Sequence, residues 1–452
     1  MSALDVWLYG TRVATVRPDD RGVGVRWADE AVSRWGLGSR TLSHLLPIGV
    51  AERGTPLRAR VWLEGLLPEG GARSRLAIDS AIDPDDTLAF LSAYGKDTAG
   101  GLVFGEEGGP DPSLSPRLVD VDDDEIAALL RHAESRTAPT GRAGLTSSSL
   151  AGMEPKIVLS RTATGWAKPM DGAASTHIVK LSRGADTETA DLIDTEAAAL
   201  HLARMVRLGT AEAAVEQFAG VRALVVSRYD RTTGDGNIGR IHQEDLAQAL
   251  GINTADPDRK FQHGGRTAPS YRHAAQVLAD GQSSPDQLLR LAAFTVIVGN
   301  TDGHAKNHSF LRLPEGDRVE LAPAYDVSMH EHTAVSSGRL AMRIAGEDSL
   351  AAVTADALVA EGVSWGMAQR RAERVVGQIV DEVRGALDSI PRDEHPGVSA
   401  AAWACVDERA NALRAPVWSS ARAASRRGPR GAARGDVDPG TVDPRAPYTS
   451  VD

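Results

Sequence analysis

The segment 285–298 is apolar on nearly every side of a helix, and that constrains most of what this chain can become. Leu288, Leu289, Leu291, Phe294, Val296, Ile297 and Val298 leave no wide polar face, so the helix has to be enclosed by other elements as the buried spine of a helical lobe. Ser284 offers an N-cap, and Pro285 falls at a first helical position. The next stretch is polar: Asn300-Thr301-Asp302-Gly303-His304-Ala305-Lys306-Asn307-His308. It reads as a loop held by a rigid element. A hairpin is expected after it, with arms 309–313 and 318–321 around Pro314-Glu315-Gly316-Asp317, and then Tyr325-Asp326-Val327-Ser328.

These residue types at this spacing point to phosphoryl transfer. That reaction needs an aspartate to orient and deprotonate the attacking hydroxyl, and oxygen ligands for magnesium. The protein-kinase catalytic loop places an Asn five residues after its Asp, as Asp302 and Asn307 stand here, and Asp326 falls where a second metal ligand belongs. Singly, each could be an acid in a polar turn; together, with a hairpin between them, they form a minimal catalytic set. A rival reading takes His304 and His308, with Asp302, His330 and His332, as a transition-metal site. His-x-x-x-His binds metal from one helix face, however, and Gly303 argues against a helix; no Glu lies between the histidines, as a zinc-protease motif requires.

Upstream, Lys180 sits mid-strand in His177-Ile178-Val179-Lys180-Leu181. A charge on an apolar strand needs a counter-charge, which nucleotide phosphates would supply, and Glu196 on the following helix is the candidate ion-pair partner. The alternative is a pair of solvated side chains. Residues 149–156 (SLAGMEPK) form a small-residue turn before a strand. Its amides and Lys156 could cover phosphates.

The rest of the chain reads as follows. Residues 4–17 form a hairpin about Gly10-Thr11, residues 63–71 are turn-rich, and 1–110 make a small mixed domain. Residues 106–118 look like a surface loop, 122–136 a helix, and 137–149 a mobile loop. Short strands follow near 157–159 and 177–181, then a helix over 194–206 and an apolar strand over 221–229. Helices are expected at 243–250, 271–278, 285–298, 349–361 and 367–387. The tail 416–452, rich in Arg, Ala, Gly, Pro and Ser, is expected to be disordered; its arginines (Arg422, Arg426, Arg427, Arg430, Arg434) read as a solvated tail ahead of a nucleic-acid contact.

With a formal charge of -11, the body as a whole is unsuited to binding a phosphate backbone directly, and suits a basic partner. The single cysteine, Cys405, allows no intramolecular disulfide. No apolar run is long enough to span a membrane and no signal peptide is evident, so a cytoplasmic protein without a membrane partner is expected.

The motifs SLAGMEPK (149–156), THIVK ending at Lys180, SRYDR (227–231), IHQEDLAQALG (241–251), GNTDGHAKNHSF (299–310) and LAPAYDVS (321–328) resemble the HipA-type kinase toxins, and VWLYGTRVATV, LPEGG and DTAGGLVF resemble that family's N-terminal subdomain. The resemblance covers roughly residues 4–400. It implies an ATP- and Mg2+-dependent serine/threonine kinase with Asp302 as catalytic base and Asn307 and Asp326 as metal ligands. Lys180 would bind ATP phosphates beneath a loop of Ala151, Gly152, Met153, Glu154, Pro155 and Lys156. Ser227, Arg228 and Tyr229 would form the adenine hinge, Asp230 would reach the ribose, and His304, Lys306 and Tyr325 would lie against the nucleotide. Ser149 matches the serine that relatives autophosphorylate, with Ser147 and Ser148 as neighbours. The resemblance further implies a HipB-like helix-turn-helix antitoxin, DNA contact only through that antitoxin, and a protein substrate such as an aminoacyl-tRNA synthetase. Ser227 stands where many relatives carry Glu. A weakly catalytic nucleotide-binding co-repressor is the other functional reading. The expected fold is α+β and two-lobed like a protein kinase: a β-rich N-terminal lobe with the added 1–110 subdomain and the remainder at 111–235, an all-helical C-terminal lobe at 236–415, and the tail.

Overall fold

The computed structural model describes residues 3–134, 148–149, 156–182, 191–234, 237–263, 265–314 and 317–414. Ser147, the phosphate-loop residues 150–155, most of the expected loop 137–149 and the tail 416–452 lie outside the described residues. The fold is mixed α+β, and the described residues belong to the unit Met1–Arg414.

The chain opens with strands β1 (Leu4–Leu8), β2 (Thr11–Asp19) and β3 (Gly22–Trp27). The β1–β2 turn is Tyr9-Gly10, one residue earlier than expected. Both have positive φ (51° and 72°), the turn whose twist matches the strands and which favours Gly at its second position. Helices α1 (Asp29–Trp35), α2 (Thr55–Glu64), α3 (Gly70–Ser80) and α4 (Thr87–Tyr94) follow, then strands β4 (Asp97–Thr98) and β5 (Leu102–Glu106). The sheet order is β3-β2-β1-β5. Its inward residues Leu4, Val6, Leu8, Val13 and Val16, with Phe104 of β5, pack against Trp62, Leu66, Leu67 and Phe90 from the helical side. This part is therefore not simply β-rich. The turn-rich stretch 63–71 is the end of α2 and the start of α3, with Gly65, Pro68 and Gly70 punctuating two helices.

The second part contains β6 (Arg117–Val121), α5 (Asp123–Glu134), β7 (Ser148–Ser149), β8 (Lys156–Arg161), β9 (Trp166–Met170), β10 (His177–Leu181), α6 (Leu192–Met205), β11 (Ala213–Phe218) and β12 (Val221–Ser227). Arg117 and Leu118, expected in a loop, belong to β6, which pairs with β9. Ser148 and Ser149 pair in parallel with Asp97 and Thr98. The main sheet runs β11-β12-β10-β8-β9-β6. It explains the unbroken apolar run of β12, because both faces are covered. Ala223 and Val225 join Ile126 and Leu130 of α5 in one core, whereas Leu224 and Val226 join Ile193 and Ala197 of α6 in another. Side chains alternate along a strand, so Lys180 shares the α6 face of β10 with Ile178.

The third part runs through β13 (Arg231–Gly234), β14 (Asn237–Arg240), β15 (His242–Asp245), α7 (Leu246–Leu250), α8 (Tyr271–Asp280), α9 (Asp286–Ile297), β16 (Ser309–Arg312), β17 (Val319–Leu321), β18 (Arg339–Ile344), β19 (Glu347–Ser349), α10 (Ala355–Ser364), α11 (Gln369–Leu387) and α12 (Ala400–Ala412). Here α9 is the buried spine, with Leu288, Leu289, Phe294 and Ile297 fully enclosed. Ser284 still serves its N-terminus, accepting from Asp286 N–H at 3.2 Å, although Pro285 holds the cap position. The expected all-helical character of 236–415 does not hold. A three-stranded sheet, β15-β16-β17, flanks the loop after α9, and β18 and β19 form a second hairpin. The helix expected over 243–250 starts only at Leu246, because Asp245 and Gln248 form a capping box that ends β15. The helix expected over 349–361 divides into a 3-10 turn, Leu350–Ala352, and α10, which is capped by Thr354.

Candidate functional site

The central strand β10 delivers Lys180, α6 delivers Glu196, and the chain after β17 delivers Asp326. All three meet. Lys180 Nζ donates to both Glu196 oxygens at 2.9 Å and to Asp326 Oδ1. Lys180 is 7% exposed and Glu196 4%, so the ion pair inferred from an apolar strand is real and buried. Lys156 stands directly opposite Lys180 on β8, with both lysines lining one cavity. Like charges side by side on a sheet disfavour each other unless an anion joins them. Asp326 adopts a left-handed backbone (φ 56°), a conformation that Asp tolerates better than most residues. Burial works against its charge, but Lys180, by charge and hydrogen bond, together with Lys156 and His304 overcomes burial and holds its carboxyl below the usual carboxylate range.

The loop between α9 and β16 is fixed by its own hydrogen bonds. Asn300 N–H donates to Thr295 O (3.0 Å), Asp302 N–H to Asn300 Oδ1 (3.0 Å) and Asn307 Nδ2 to Asp302 O (2.9 Å). Asp302 is exposed, whereas residues 303–310 are buried. Burial first, then Lys260, pushes His304 down to about 3; burial likewise pushes His308 and His330 down to about 4. All three rings are neutral at physiological pH. Among the described residues no three His, Cys, Asp or Glu side chains are placed together to hold a metal ion, which counts against the transition-metal reading. Asn307 and Asp326 do line the cavity together. With its amide nitrogen donating to Asp302 O, Asn307 keeps its oxygen for a cation. Amide and carboxylate oxygens suit a hard cation such as magnesium.

The cavity measures about 390 Å³ and brings together Lys156, Ile178, Lys180, Glu196, residues 226–230, Asp302, His304, Lys306, Asn307, Tyr325 and Asp326. Two expected contacts look different in place. The Asp230 carboxylate, expected to reach a ribose, is closed over: Arg228 Nε donates at 3.0 Å, Arg228 Nη2 at 2.7 Å and Gly100 N–H at 2.7 Å, with Arg231 Nη1 3.0 Å away. Arg228 also donates to Thr98 O (2.7 Å), and Arg231 to Asp97 (2.9 Å). These side chains therefore fasten the first part of the chain to the end of β12. Lys306, expected at the nucleotide, donates to Asp245 Oδ2 (2.9 Å) and Gly65 O (3.1 Å), with Glu69 Oε1 at 3.5 Å. Its ammonium is committed mainly to holding the loop. Tyr325 donates to Lys306 O at 2.6 Å and packs its ring 5.5 Å from Tyr229.

Sequence reasoning missed Gly65, Glu69, Ala99, Gln243, Gln248 and Lys260, all of which line the cavity. Glu69 lay within LPEGG, a stretch read as a turn and as part of the N-terminal resemblance, with no role given to its carboxylate. Gln243 and Gln248 lay within a motif read as helix. Lys260 had no signal, since it ends a short 3-10 turn.

Two family models match the chain: the HipA N-terminal domain over residues 4–105 and the HipA-like C-terminal domain over 148–387. The "Putative kinase Y4mE" of Sinorhizobium fredii is 30% identical over 407 residues, covering 86% of this chain and 92% of that protein. The serine/threonine-protein kinase toxin HipA of Shewanella oneidensis is 28% identical over 313 residues, covering 66% of this chain and 69% of its own length. Among solved structures, the Shewanella oneidensis MR-1 toxin–antitoxin complex of HipA, HipB and operator DNA matches with a TM-score of 0.74 at 23% identity, covering 90% of this chain and 96% of that one.

Proposed function

The chain belongs to the HipA family, and on that premise we propose that it is an ATP-dependent serine/threonine protein kinase, the toxin of a toxin–antitoxin pair. One observation carries the reading: Lys180, Glu196 and Asp326 converge in a cavity that Asp302 and Asn307 also line. In this reading the lobes are those of a protein kinase. The adenine lies against the 227–229 backbone, between Ile178, Val226 and the Tyr229–Tyr325 pair. Lys180, kept in place by Glu196, binds phosphate oxygens. Asn307 and Asp326 hold magnesium, whose chemistry is to neutralise charge on the transferring phosphoryl group. Asp302 takes the proton of the acceptor hydroxyl. The neutral His304 adds no further positive charge beside Lys180 and Lys260. Among the described residues no helix is long and apolar enough to cross a membrane. A HipB-like DNA-binding antitoxin is the proposed partner, supported by the complex in which the structural neighbour was solved.

Incubation with Mg2+ and γ-labelled ATP tests this reading. The protein is expected to label itself on serine, and Ser149→Ala to abolish that label. Peptide mapping that finds the phosphate on Ser147 or Ser148 would move the register, and an unlabelled wild-type protein would remove the assignment. Lys180→Ala is expected to weaken ATP binding about 10- to 100-fold, the effect of losing a charge-assisted phosphate contact. Calorimetric titration with ATP measures it, and an unchanged affinity would make Lys180 a purely structural ion-pair partner.

A further inference from the structure

Lys260 ends a 3-10 turn, Pro257–Lys260, between α7 and α8. It is 7% exposed and lines the cavity that holds Lys180, Asp302 and Asp326. The residues after it fasten it to the catalytic loop. Phe261 sets its ring edge-on to His304 with centroids 5.2 Å apart. Gln262 N–H donates to Ala341 O (2.8 Å), Gln262 Oε1 accepts from Arg343 N–H (2.9 Å), and Ala341 N–H donates to Thr301 O (3.1 Å). A buried lysine anchored in this way by the residues after it differs from a surface lysine that samples many rotamers.

One counter-charge comes from the first part of the chain. Glu69 Oε2 lies 3.6 Å from Lys260 Nζ, and Glu69 Oε1 lies 3.5 Å from Lys306 Nζ. Both Glu69 oxygens are buried without a hydrogen bond. At these lengths Glu69 is an electrostatic tether for two ammonium groups, not a close acceptor. A buried ammonium is costly unless well compensated. The tether fixes where Lys260 sits without itself taking up one of the three N–H donors that an ammonium carries. The position is on the catalytic-loop side of the cavity, next to His304.

We propose that Lys260 contacts the terminal phosphate of the bound nucleotide, and that Glu69 is the residue that positions it; the inference rests on the kinase reading above. The family resemblance implies that Lys306 lies against the nucleotide. Here Lys306 is committed to Asp245 and Gly65, and Lys260 takes that task from another segment. The 1–110 region then takes part in nucleotide binding through Glu69, in addition to flanking the cavity.

Calorimetric titrations of the full chain with MgATP, MgADP and adenosine test the proposal, using wild type, Lys260→Met, Lys260→Arg and Glu69→Gln. Lys260→Met is expected to lose about 10- to 100-fold in MgATP affinity, the worth of one charge-assisted contact. It should lose clearly less for MgADP and nothing for adenosine. Lys260→Arg should recover most of the MgATP loss, and Glu69→Gln should reproduce part of it. An unchanged MgATP affinity in Lys260→Met overturns the proposal. So does an equal loss for all three ligands, which would mark a folding role. If wild type binds none of the three, the kinase reading fails instead.

Discussion

Asp302→Asn should lower phosphate incorporation by about 10²- to 10⁴-fold while leaving MgATP affinity and thermal stability close to wild type. The expected size follows from the role: a carboxylate that accepts the hydroxyl proton in the transition state contributes about 3–5 kcal/mol, and an amide cannot accept that proton. The expected selectivity follows from the setting. The Asp302 side chain is exposed, and the loop is held by main-chain and Asn contacts (Asp302 N–H to Asn300, Asn307 Nδ2 to Asp302 O) that the substitution keeps. Exposed substitutions away from packed features usually shift stability by no more than about 0.5 kcal/mol. Single-turnover labelling with γ-labelled ATP, beside an ATP titration, separates the outcomes. Equal incorporation by both proteins would remove Asp302 from the chemistry. A loss of ATP affinity matching the loss of rate would make it a binding residue.

The parts of this site that could be read from sequence are those in which one residue breaks a local pattern. Lys180 interrupts an apolar strand and so announces a counter-charge, which proved to be Glu196 together with Asp326. The spine helix announces itself through the absence of a polar face, and the loop after it through its abrupt polarity. Where reading failed, the deciding partner lies far away in the chain. Asp230 looks like a polar residue at a strand end, and only the arrival of Gly100, Arg228 and Arg231 converts it into a buried joint. Glu69 and Lys260 come together only after α2, α3 and α7 have packed, and nothing in either segment marks a charged pair. The strand β15 was hidden by a good helix pattern. The pattern is real from Leu246 onward, but Asp245 caps it and leaves His242 to Asp245 free to pair with β16. The helices of the first part were obscured by Gly and Pro residues that end helices as readily as they make turns.

Glu244→Ala is expected to destabilise the protein by about 3–5 kcal/mol, because it strands a buried guanidinium. Glu244 is fully enclosed on β15, where it gathers Ser43 Oγ at 2.7 Å, His44 N–H at 2.8 Å, Trp62 Nε1 at 2.9 Å and Arg312 Nε at 2.5 Å. Arg312, itself 1% exposed, keeps only Arg40 O at 2.8 Å if the carboxylate is removed. The pair joins the first part of the chain to the sheet beside the catalytic loop. The double replacement Glu244→Leu with Arg312→Met should therefore cost less than Glu244→Ala alone, since it leaves no unpaired charge. The same group gives the acid limb of stability its sign. Burial raises the Glu244 carboxyl, but Arg312 and its hydrogen bonds overcome burial and hold it below its ordinary 4.5. A depressed carboxyl contributes stability that is complete above its unfolded value and is lost as pH falls toward its folded one. His242 acts in the same direction over a higher window. Burial lowers it from 6.5 to about 4, so between those values the unfolded chain takes up a proton that the folded chain refuses. Urea midpoints should thus fall as pH drops from 6.5, first through His242 together with the buried His304, His308 and His330, and then more steeply below about 4.5 as Glu244 joins. In Glu244→Ala the first decline should persist and the Glu244 share of the second should vanish. Midpoints that fall equally steeply below pH 4.5 in both proteins would show that other carboxylates set the acid limb.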